Sequence, residues 1–116
     1  ACDWIVDRLA KPHPGSIHLL FHTVAWQYFS ENTCQRCLES LEEAGARATP
    51  DAPLARLSME GDERKGEGAP IELTLWPGGH KINLGRVDFH GGWVDWKAPA
   101  RMPTRYKHPT QTEKRA

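Results

Sequence analysis

The chain has 116 residues, of which 39% are hydrophobic and 26% are charged, proportions typical of one small globular domain. Its 15 Lys and Arg balance 15 Asp and Glu, and no apolar run approaches the roughly 20 residues that a membrane-spanning helix needs. With no visible signal peptide and an odd number of cysteines, three, the sequence argues against a secreted disulfide framework and predicts a cytoplasmic protein.

The charges are divided unevenly along the chain. Residues 1–96 carry 9 Lys and Arg against 14 Asp and Glu, whereas residues 97–116 carry 6 against 1. We therefore predict a single α/β domain over 1–96 and a basic, proline-containing C-terminal tail over 97–116. Such a tail can bind nucleic acid or an acidic surface. Among Phe, Trp and Tyr it contains only Tyr106, so a solvated or docked extension is favoured and nucleic-acid binding is not expected.

The first predicted elements are a short helix and a strand. The helix is capped by Asp3, ends before the proline-rich segment 11–15, and has an apolar face made of Trp4, Ile5 and Leu9. Residues 17–22 follow as a strand that is apolar on both faces apart from His18. This pattern is typical of a buried inner strand in a mostly parallel α/β sheet.

The strand runs into an aromatic and amide cluster formed by Trp26, Gln27, Tyr28 and Phe29. Because open α/β sheets bind their ligands just beyond the carboxyl ends of the strands, we place the candidate site here. A helix over about 31–44 follows, with Ser30 as its N-terminal cap and Gly45 ending it in a left-handed conformation. Together with a second strand over 54–59, these elements predict a βαβ unit.

A polar, glycine-rich loop separates the second strand from a predicted hairpin. Strand 71–76 alternates apolar and polar residues, the turn Pro77-Gly78-Gly79 reverses the chain, and strand 80–89 returns. The apolar phase of the returning strand shifts across Gly85, which predicts a β-bulge at that position. Residues 93–96 are expected to fold back as a short apolar closing segment.

The segment Phe21-His22-Thr23-Val24-Ala25-Trp26-Gln27-Tyr28 resembles the strand and loop of a bacterial family, domain of unknown function 2332 (DUF2332). The resemblance continues through Leu73-Thr74-Leu75-Trp76-Pro77-Gly78-Gly79 and Asp88-Phe89-His90-Gly91-Gly92-Trp93-Val94, and it covers about residues 4–96. Family members are longer, and the chain resembles only their C-terminal part. Its start at Ala1, without an initiator methionine, also indicates a piece of a longer or processed protein. The resemblance implies a Rossmann-like fold and names no activity.

The order of the elements resembles the second half of a Rossmann-like sheet of the S-adenosylmethionine methyltransferase type. This analogy implies the strand order 1-2-4-3, with strands 1 and 2 parallel and an antiparallel C-terminal hairpin. Strand 17–22 then lies at an edge of the sheet although it is apolar on both faces. Since an apolar edge strand needs a cover, we expect this chain to form a homodimer through residues 17–22.

Six residues are candidates for a functional site: His22, Trp26, Gln27, Tyr28, Glu60 and His80. In the resembled architecture the loop after the first strand faces the substrate, so we interpret its rings and amide as ligand-facing. His22 and Glu60, at the ends of two parallel strands, can act as an acid–base pair. His80, after the Pro-Gly-Gly turn, is expected at the same sheet edge. The alternative is that the rings only cover the sheet and the carboxylate is solvated.

Two further patterns concern metals and cofactors. Cys34-Gln35-Arg36-Cys37 is a C-x-x-C, but a structural zinc needs four ligands and no second pair exists, so we interpret both cysteines as small core residues. No glycine-rich turn follows a strand and opens a helix, so no cofactor site is expected in this chain. S-adenosylmethionine is possible only in a full-length parent protein.

Two hypotheses about function follow. The first is a non-catalytic assembly or binding module, in which the aromatic loop and strand 17–22 form an interface. The second is the substrate-side half of an S-adenosylmethionine-dependent methyltransferase-type enzyme, whose pocket is lined by His22, Gln27, Tyr28 and Glu60. We favour the first, because a chain without the cofactor half is not expected to be active on its own. A metal or redox module built on the C-x-x-C is a third, weaker hypothesis.

Overall fold

The structure, a computed structural model, describes residues 2–99. It contains two α-helices, one 3₁₀ turn and five β-strands. In chain order these are α1 (Cys2–Leu9), β1 (His18–Thr23), the 3₁₀ turn Trp26–Tyr28, α2 (Glu31–Arg47), β2 (Leu54–Met59), β3 (Ala69–Trp76), β4 (His80–Val87) and β5 (Val94–Trp96). Residues 100–116, most of the predicted basic tail, lie outside the described residues. In residues 2–99 neither helix combines the length and the apolar character that a membrane span requires.

The five strands form one mixed sheet in the order β1-β2-β3-β4-β5. The β1–β2 pair is parallel, as predicted, and every other neighbouring pair is antiparallel. The predicted order 1-2-4-3 is wrong, because β3 pairs directly with β2. A parallel return needs a crossover connection, usually a helix. Residues 60–68 between β2 and β3 contain no helix, so the chain turns back beside β2 in the antiparallel direction.

Strand β1 lies at one edge of the sheet, as the analogy implied, and it is not a buried inner strand. Its Leu20 and His22 side chains face the helices and are partly or fully buried. Ile17, Leu19 and Phe21 point to the opposite side and are 68%, 48% and 67% exposed. The interpretation that the strand is buried on both faces is therefore wrong for the described residues, which cover only its helix side.

Both helices pack on the same side of the sheet, over β1 and β2. Their buried core consists of Cys2, Ile5, Leu9, Cys37, Leu41 and Leu54, with Leu20 and Trp76 packed against it. The residues that α1 contributes, Cys2, Ile5 and Leu9, follow one another at intervals of about one helical turn, as expected for an amphipathic helix. Trp4, predicted on the buried face, is 58% exposed. The two helices thus form one layer that encloses a single small core against the sheet.

Helix α2 begins as predicted and ends later than predicted. The Ser30 hydroxyl caps it by accepting a hydrogen bond from the Thr33 amide at 3.2 Å. Gly45 lies inside the helix, which continues to Arg47, so the predicted left-handed end at Gly45 is wrong. The glycine is needed for a different reason. A Cβ at this position would overlap the Trp76 indole ring on β3, so the absent side chain lets helix and sheet approach closely.

The C-terminal half of the fold agrees with the sequence pattern. β3 and β4 form a hairpin around residues 77–79, and β5 pairs with β4 as the closing segment. The register between β3 and β4 shifts opposite residues 83–85, which confirms the predicted bulge. Gly85 occupies the bulge with φ of 119°, a conformation that favours glycine.

The sheet face that points away from the helices is apolar, and we call it the open face. Register places on it Leu19 and Phe21 of β1, Ala55, Leu57 and Met59 of β2, Ile71, Leu73 and Leu75 of β3, and Ile82 of β4. The helix side of β2 to β4 instead carries Arg56, Ser58, Glu72, Thr74, Lys81 and Asn83. Within residues 2–99 both helices lie on the more polar side. Antiparallel sheets usually pack their apolar face against the core. On this face Ala55 and Ile82 are buried, and the exposed large apolar residues are Leu19 and Phe21 at the β1 edge.

We predict that Gly45→Ala destabilises the protein by about 1–3 kcal/mol, because the added methyl group overlaps the Trp76 ring in a packed region. The matched control is Ala46→Gly at the next, exposed helix position. This substitution changes helix propensity alone, and it should lower the free energy of unfolding by about 1 kcal/mol. Urea unfolding checks both free energies of unfolding. If Gly45→Ala stabilises the protein by the amount that the control loses, the close approach of helix and sheet is contradicted.

Candidate functional site

Four side chains meet where β1 and β2 end, and we call them the His22 cluster: His22, Trp26, Arg56 and Glu60. His22 comes from β1 and Arg56 from β2, on the face that both strands turn toward the helices. Glu60 directly follows β2, and Trp26 opens the 3₁₀ turn after β1. Because parallel strands end at the same sheet edge, the predicted meeting of His22 and Glu60 is observed in the structure.

His22 is held on both sides of its ring. Its Nδ1 lies 2.6 Å from Glu60 Oε2, and Arg56 Nε lies 2.9 Å from its Nε2. A guanidinium only donates hydrogen bonds, so Nε2 must be the acceptor and the ring proton must sit on Nδ1, where it is donated to Glu60. Burial lowers the pKa of His22, a shift that the hydrogen bond to Glu60 opposes and the Arg56 charge reinforces. The imidazole is therefore neutral, in one tautomer.

The Glu60 carboxylate also organises the loop after β1. Its Oε2 accepts the Ala25 amide at 3.2 Å and its Oε1 accepts the Trp26 amide at 3.1 Å. Val24, immediately before these amides, has φ of 47°, and its own amide donates to the Met59 carbonyl at 2.8 Å. A positive φ is uncommon for a β-branched residue. The hydrogen bonds on both sides of Val24 fix the sharp turn that the chain makes there.

Trp26 closes the cluster as a layer of rings. Its indole stacks on the His22 imidazole with centroids 4.2 Å apart and planes 18° apart. The Arg56 guanidinium carbon lies 5.2 Å from the Trp26 centroid, within the range of a cation–π contact. Burial lowers the pKa of Arg56, and the carboxylates of Glu72 and Glu60 oppose this shift. The charge of the arginine is thus balanced by Glu60 within the cluster and by Glu72 on the neighbouring strand β3.

The structure separates the remaining sequence candidates from this cluster. Gln27 and Tyr28 follow Trp26 in the same turn, but both are exposed, Tyr28 to 79%. His80 pairs with Leu75 near the start of β2, at the opposite end of the sheet from His22. The expectation that His80 reaches the same edge is wrong, because β3 runs antiparallel to β2 and carries the turn to the far end.

Arg56 is a member of the cluster that the sequence reasoning did not single out. The signal was present, since Arg56 is the only charged residue within the strand 54–59. In the parallel register it pairs with Leu20, one step along the same face from His22. A long cationic side chain at such a position reaches a neighbouring ring, which is the contact observed.

The chemistry available to the His22 cluster follows from these hydrogen bonds. An acid–base role needs a ring nitrogen that can exchange a proton with a substrate, and both nitrogens of His22 are already bound. Beside the cluster lies a cavity of about 210 Å³, bordered by Trp4, Ile5, Leu20, Phe21, His22, Ala25, Trp26 and Phe29. Apart from the imidazole, the side chains around it are apolar. In this arrangement the cluster joins two strands and a loop.

The three cysteines lie close to the helix core as free thiols. Cys37 is fully buried. Several effects raise the pKa of its thiol to about 12, of which burial is the largest and the hydrogen bond with the Cys2 thiol is the next. The Cys34 thiol donates to the Trp26 carbonyl at 3.6 Å. Over residues 2–99 no three His, Cys, Asp or Glu side chains come together as a metal-binding group. The C-x-x-C thus packs one sulfur in the core and directs the other to the loop.

The residues around β1 were also compared with what S-adenosylmethionine would need. No glycine-rich turn joins a strand to a helix in residues 2–99, and the Glu60 carboxylate is engaged by His22 and two loop amides. A nucleoside at this edge would have to displace those bonds.

Comparison with known proteins gives one match. Residues 1–96 match the model of a family described as "Uncharacterized protein conserved in bacteria (DUF2332)". No curated protein and no solved structure matches the chain. The match covers all the elements from α1 to β5 and ends where the basic tail begins.

We predict that Glu60→Ala lowers the free energy of unfolding by about 2–4 kcal/mol, because it leaves the His22 Nδ1–H and two loop amides without their acceptor. Glu60→Gln keeps one acceptor oxygen and should lose less. Glu63→Ala, which removes an exposed carboxylate from the following loop, is the control and should change stability by under about 0.5 kcal/mol. Equal effects of Glu60→Ala and Glu63→Ala in urea unfolding would contradict the bridging role of Glu60.

We further predict that His22 makes stability depend on pH. Because its pKa in the folded protein is lowered from 6.5, the unfolded chain binds the proton more readily. The contribution of His22 is therefore complete above pH 6.5 and decreases as the pH falls toward the folded-state pKa. Unfolding free energies of the wild type and His22→Asn, measured between about pH 8 and pH 5, check this. Both proteins retain the contribution of His18, so parallel pH profiles would show that His22 contributes nothing.

Proposed function

Since the chain belongs to the bacterial family DUF2332, whose description names no activity, we propose that it is a non-catalytic assembly module that pairs with a second copy along the free edge of β1. The observation that carries this proposal is the exposure of Leu19 and Phe21 on an edge strand and of Ile17 directly before it. Long, apolar edge strands attract further strands, and proteins normally block them with charges, prolines or a covering segment. Residues 17–23 contain no charged residue other than protonatable histidines and no proline.

The backbone of β1 has groups available for such pairing. The His18 amide donates to the Pro53 carbonyl at 3.0 Å, and the Val24 amide donates to the Met59 carbonyl at 2.8 Å. In a parallel pair the residues that bond to the neighbour alternate along the strand. The even-numbered residues of β1 therefore bond to β2, and Leu19 and Phe21 direct their amides and carbonyls away from the sheet.

An antiparallel pair of two β1 strands satisfies these groups symmetrically. With a two-fold axis through Leu20, Leu19 of one copy lies opposite Phe21 of the other, and the reverse contact is identical. Each such pair exchanges two backbone hydrogen bonds and brings two exposed apolar side chains together on the open face. The outcome is one continuous sheet of ten strands, in which both copies bury part of the apolar surface that each exposes alone.

The His22 cluster supports this proposal as a structural element. It fixes the end of β1 to β2 and to the following turn through hydrogen bonds that use both nitrogens of His22. A rigid edge strand loses less conformational entropy on pairing than a mobile one. In this proposal the histidine, the glutamate and the arginine position the edge for a partner strand, and none of them reacts with a substrate.

The second hypothesis, the substrate-side half of a methyltransferase-type enzyme, has less support. His22 and Trp26 border the apolar cavity of about 210 Å³, but Gln27, Tyr28 and His80 are not among its lining residues. Saturable binding of S-adenosylmethionine in calorimetry, abolished by Trp26→Ala, would favour this enzyme over the assembly module.

We also include a cytoplasmic location in the proposal. All three cysteines are free thiols, and Cys2 and Cys37 are buried next to each other in the helix core. Neighbouring thiols remain reduced in a compartment with a reducing thiol pool, and the cytoplasm is such a compartment. Fractionation of cells that express the chain would check the location.

We predict that the chain is a dimer in light scattering and that Phe21→Lys makes it a monomer, because a charge at the edge must be desolvated on pairing. The control is Val94→Lys on β5, the opposite edge strand, where the replaced side chain is similarly exposed at 57%. It should leave the dimer intact. A monomeric wild type at all concentrations would contradict the proposal, and dissociation by Val94→Lys alone would assign the interface to β5.

A further inference from the structure

A second cavity lies at the other end of β1, between the α1–β1 loop and the end of α2. Its volume is about 200 Å³, and four of its lining residues carry basic side chains: Lys11, His13, His18 and Arg47. We call it the basic cavity. We propose that the basic cavity binds a small oxyanion, such as phosphate or the phosphate group of a small organic molecule.

The four basic residues come from three separate parts of the fold. Lys11 and His13 lie in the loop between α1 and β1, His18 begins β1, and Arg47 ends α2. No aspartate or glutamate is among the lining residues. The sequence has the same bias, since residues 8–30 contain no acidic residue. Convergence of basic side chains without a carboxylate is the arrangement that favours an anionic ligand.

The two histidines of the basic cavity touch each other. Their ring centroids are 4.2 Å apart in an edge-on arrangement with planes at 64°. Burial lowers the pKa of His18, and the neighbouring His13 and Arg8 lower it further. The charged neighbours that shift the pKa of His18 are all basic residues. The pKa of His22 differs in this respect, because the Glu60 carboxylate raises it. An anion in the cavity would offset the repulsion from the basic neighbours of His18 and favour the protonated form of His18.

Acidic residues do occur nearby, and their positions matter. Asp7 on α1, Glu43 one turn before Arg47 on α2, and Asp51 before β2 are the carboxylates closest in sequence to the lining residues. None of the three lines the cavity. Asp51 contributes its backbone carbonyl, which accepts the Gly15 amide at 2.7 Å. Lys11, Arg47 and the two imidazoles therefore border the cavity, together with apolar residues and without a carboxylate among the lining residues.

The loop that carries Lys11 and His13 is tied to the rest of the fold. The Gly15 amide bonds to Asp51, and the Ser16 amide donates to the His13 carbonyl at 3.2 Å. On the other side, Arg47 donates one guanidinium hydrogen bond to the Leu9 carbonyl at 3.3 Å. A guanidinium has five N–H donors, so this anchor leaves others for a ligand. Such anchoring reduces the ordering cost of binding.

Within one copy the basic cavity does not use the backbone groups that pair in the proposed dimer, although the two-fold register brings His18 of one copy opposite His22 of the other. It involves the helix side of β1 at His18, whereas pairing uses the outer backbone edge and the open face. It is also separate from the His22 cluster, which lies at the opposite end of the strand. Failure of one proposal therefore leaves the other standing.

The test is a titration of the full chain with inorganic phosphate, followed by NMR of the histidine ring protons at constant ionic strength. We expect saturable shifts of His13 and His18 and a higher pKa of His18 with phosphate bound, while His90, which lies beyond the end of β4 and does not line the cavity, does not move. Sodium chloride at the same ionic strength should not reproduce these shifts. Equal shifts with chloride, or linear shifts shared by all the histidines, would mean screening alone and would overturn the proposal.

Two variants locate the binding. Lys11→Gln and Arg47→Gln should each weaken phosphate binding by about tenfold or more, the usual effect of losing one charge-assisted hydrogen bond. Lys65→Gln, in the exposed loop before β3, is the matched control and should leave the affinity unchanged. Because Arg47 also holds α1, Lys11→Gln serves as the variant that leaves the helix packing intact. Unchanged affinity in Lys11→Gln and Arg47→Gln would overturn the proposal even if phosphate binds elsewhere.

Discussion

The hydrogen bonds of the Glu60 carboxylate are the constraint on which the arrangement of β1, β2 and the turn after β1 depends. Glu60 follows β2, accepts from His22 on β1 and from two amides of the turn that leads to α2, and so joins three consecutive parts of the βαβ unit. The unit has only one parallel strand pair, and a parallel pair needs a long connection between its strands. Glu60 thus fixes the connection to α2 at the point where it leaves β1.

The distribution of polarity over the sheet is the basis for the proposed dimer. The helices cover β1 and the start of β2, while the more polar side of β3 and β4 shares their face. The apolar residues of β2 to β4 point the other way, toward the open face, and continue into the exposed Leu19 and Phe21. A contiguous apolar patch of this kind marks an interaction site. The edge of β1 adjoins the open face, so the proposed pairing would begin to cover it.

Local features of the sequence predicted the local structure, and the tertiary arrangement depended on contacts that the sequence does not display. Ser30 as a cap and Gly85 as a bulge follow from rules that involve a few neighbouring residues, and both are observed. The sheet order was inferred from a resemblance, and it failed because the direction of β3 is decided by a connection without a helix. Gly45 was interpreted as a helix end, since the sequence does not show that Trp76 lies above it. Arg56 was missed for the same reason, as its partner is on another strand.

The two ends of β1 show why the site chosen from sequence and the site suggested by the structure differ. Both ends carry a histidine on the helix side of the strand. His22 is matched by a carboxylate on one nitrogen and a guanidinium on the other, so its hydrogen-bonding capacity is used within the protein. His18 meets only cationic neighbours, so its environment lacks a negative charge that a ligand can supply. Aromatic rings mark the first end, but basic side chains without a carboxylate beside a cavity are the stronger indication of ligand binding, and they make the second end the proposed anion site.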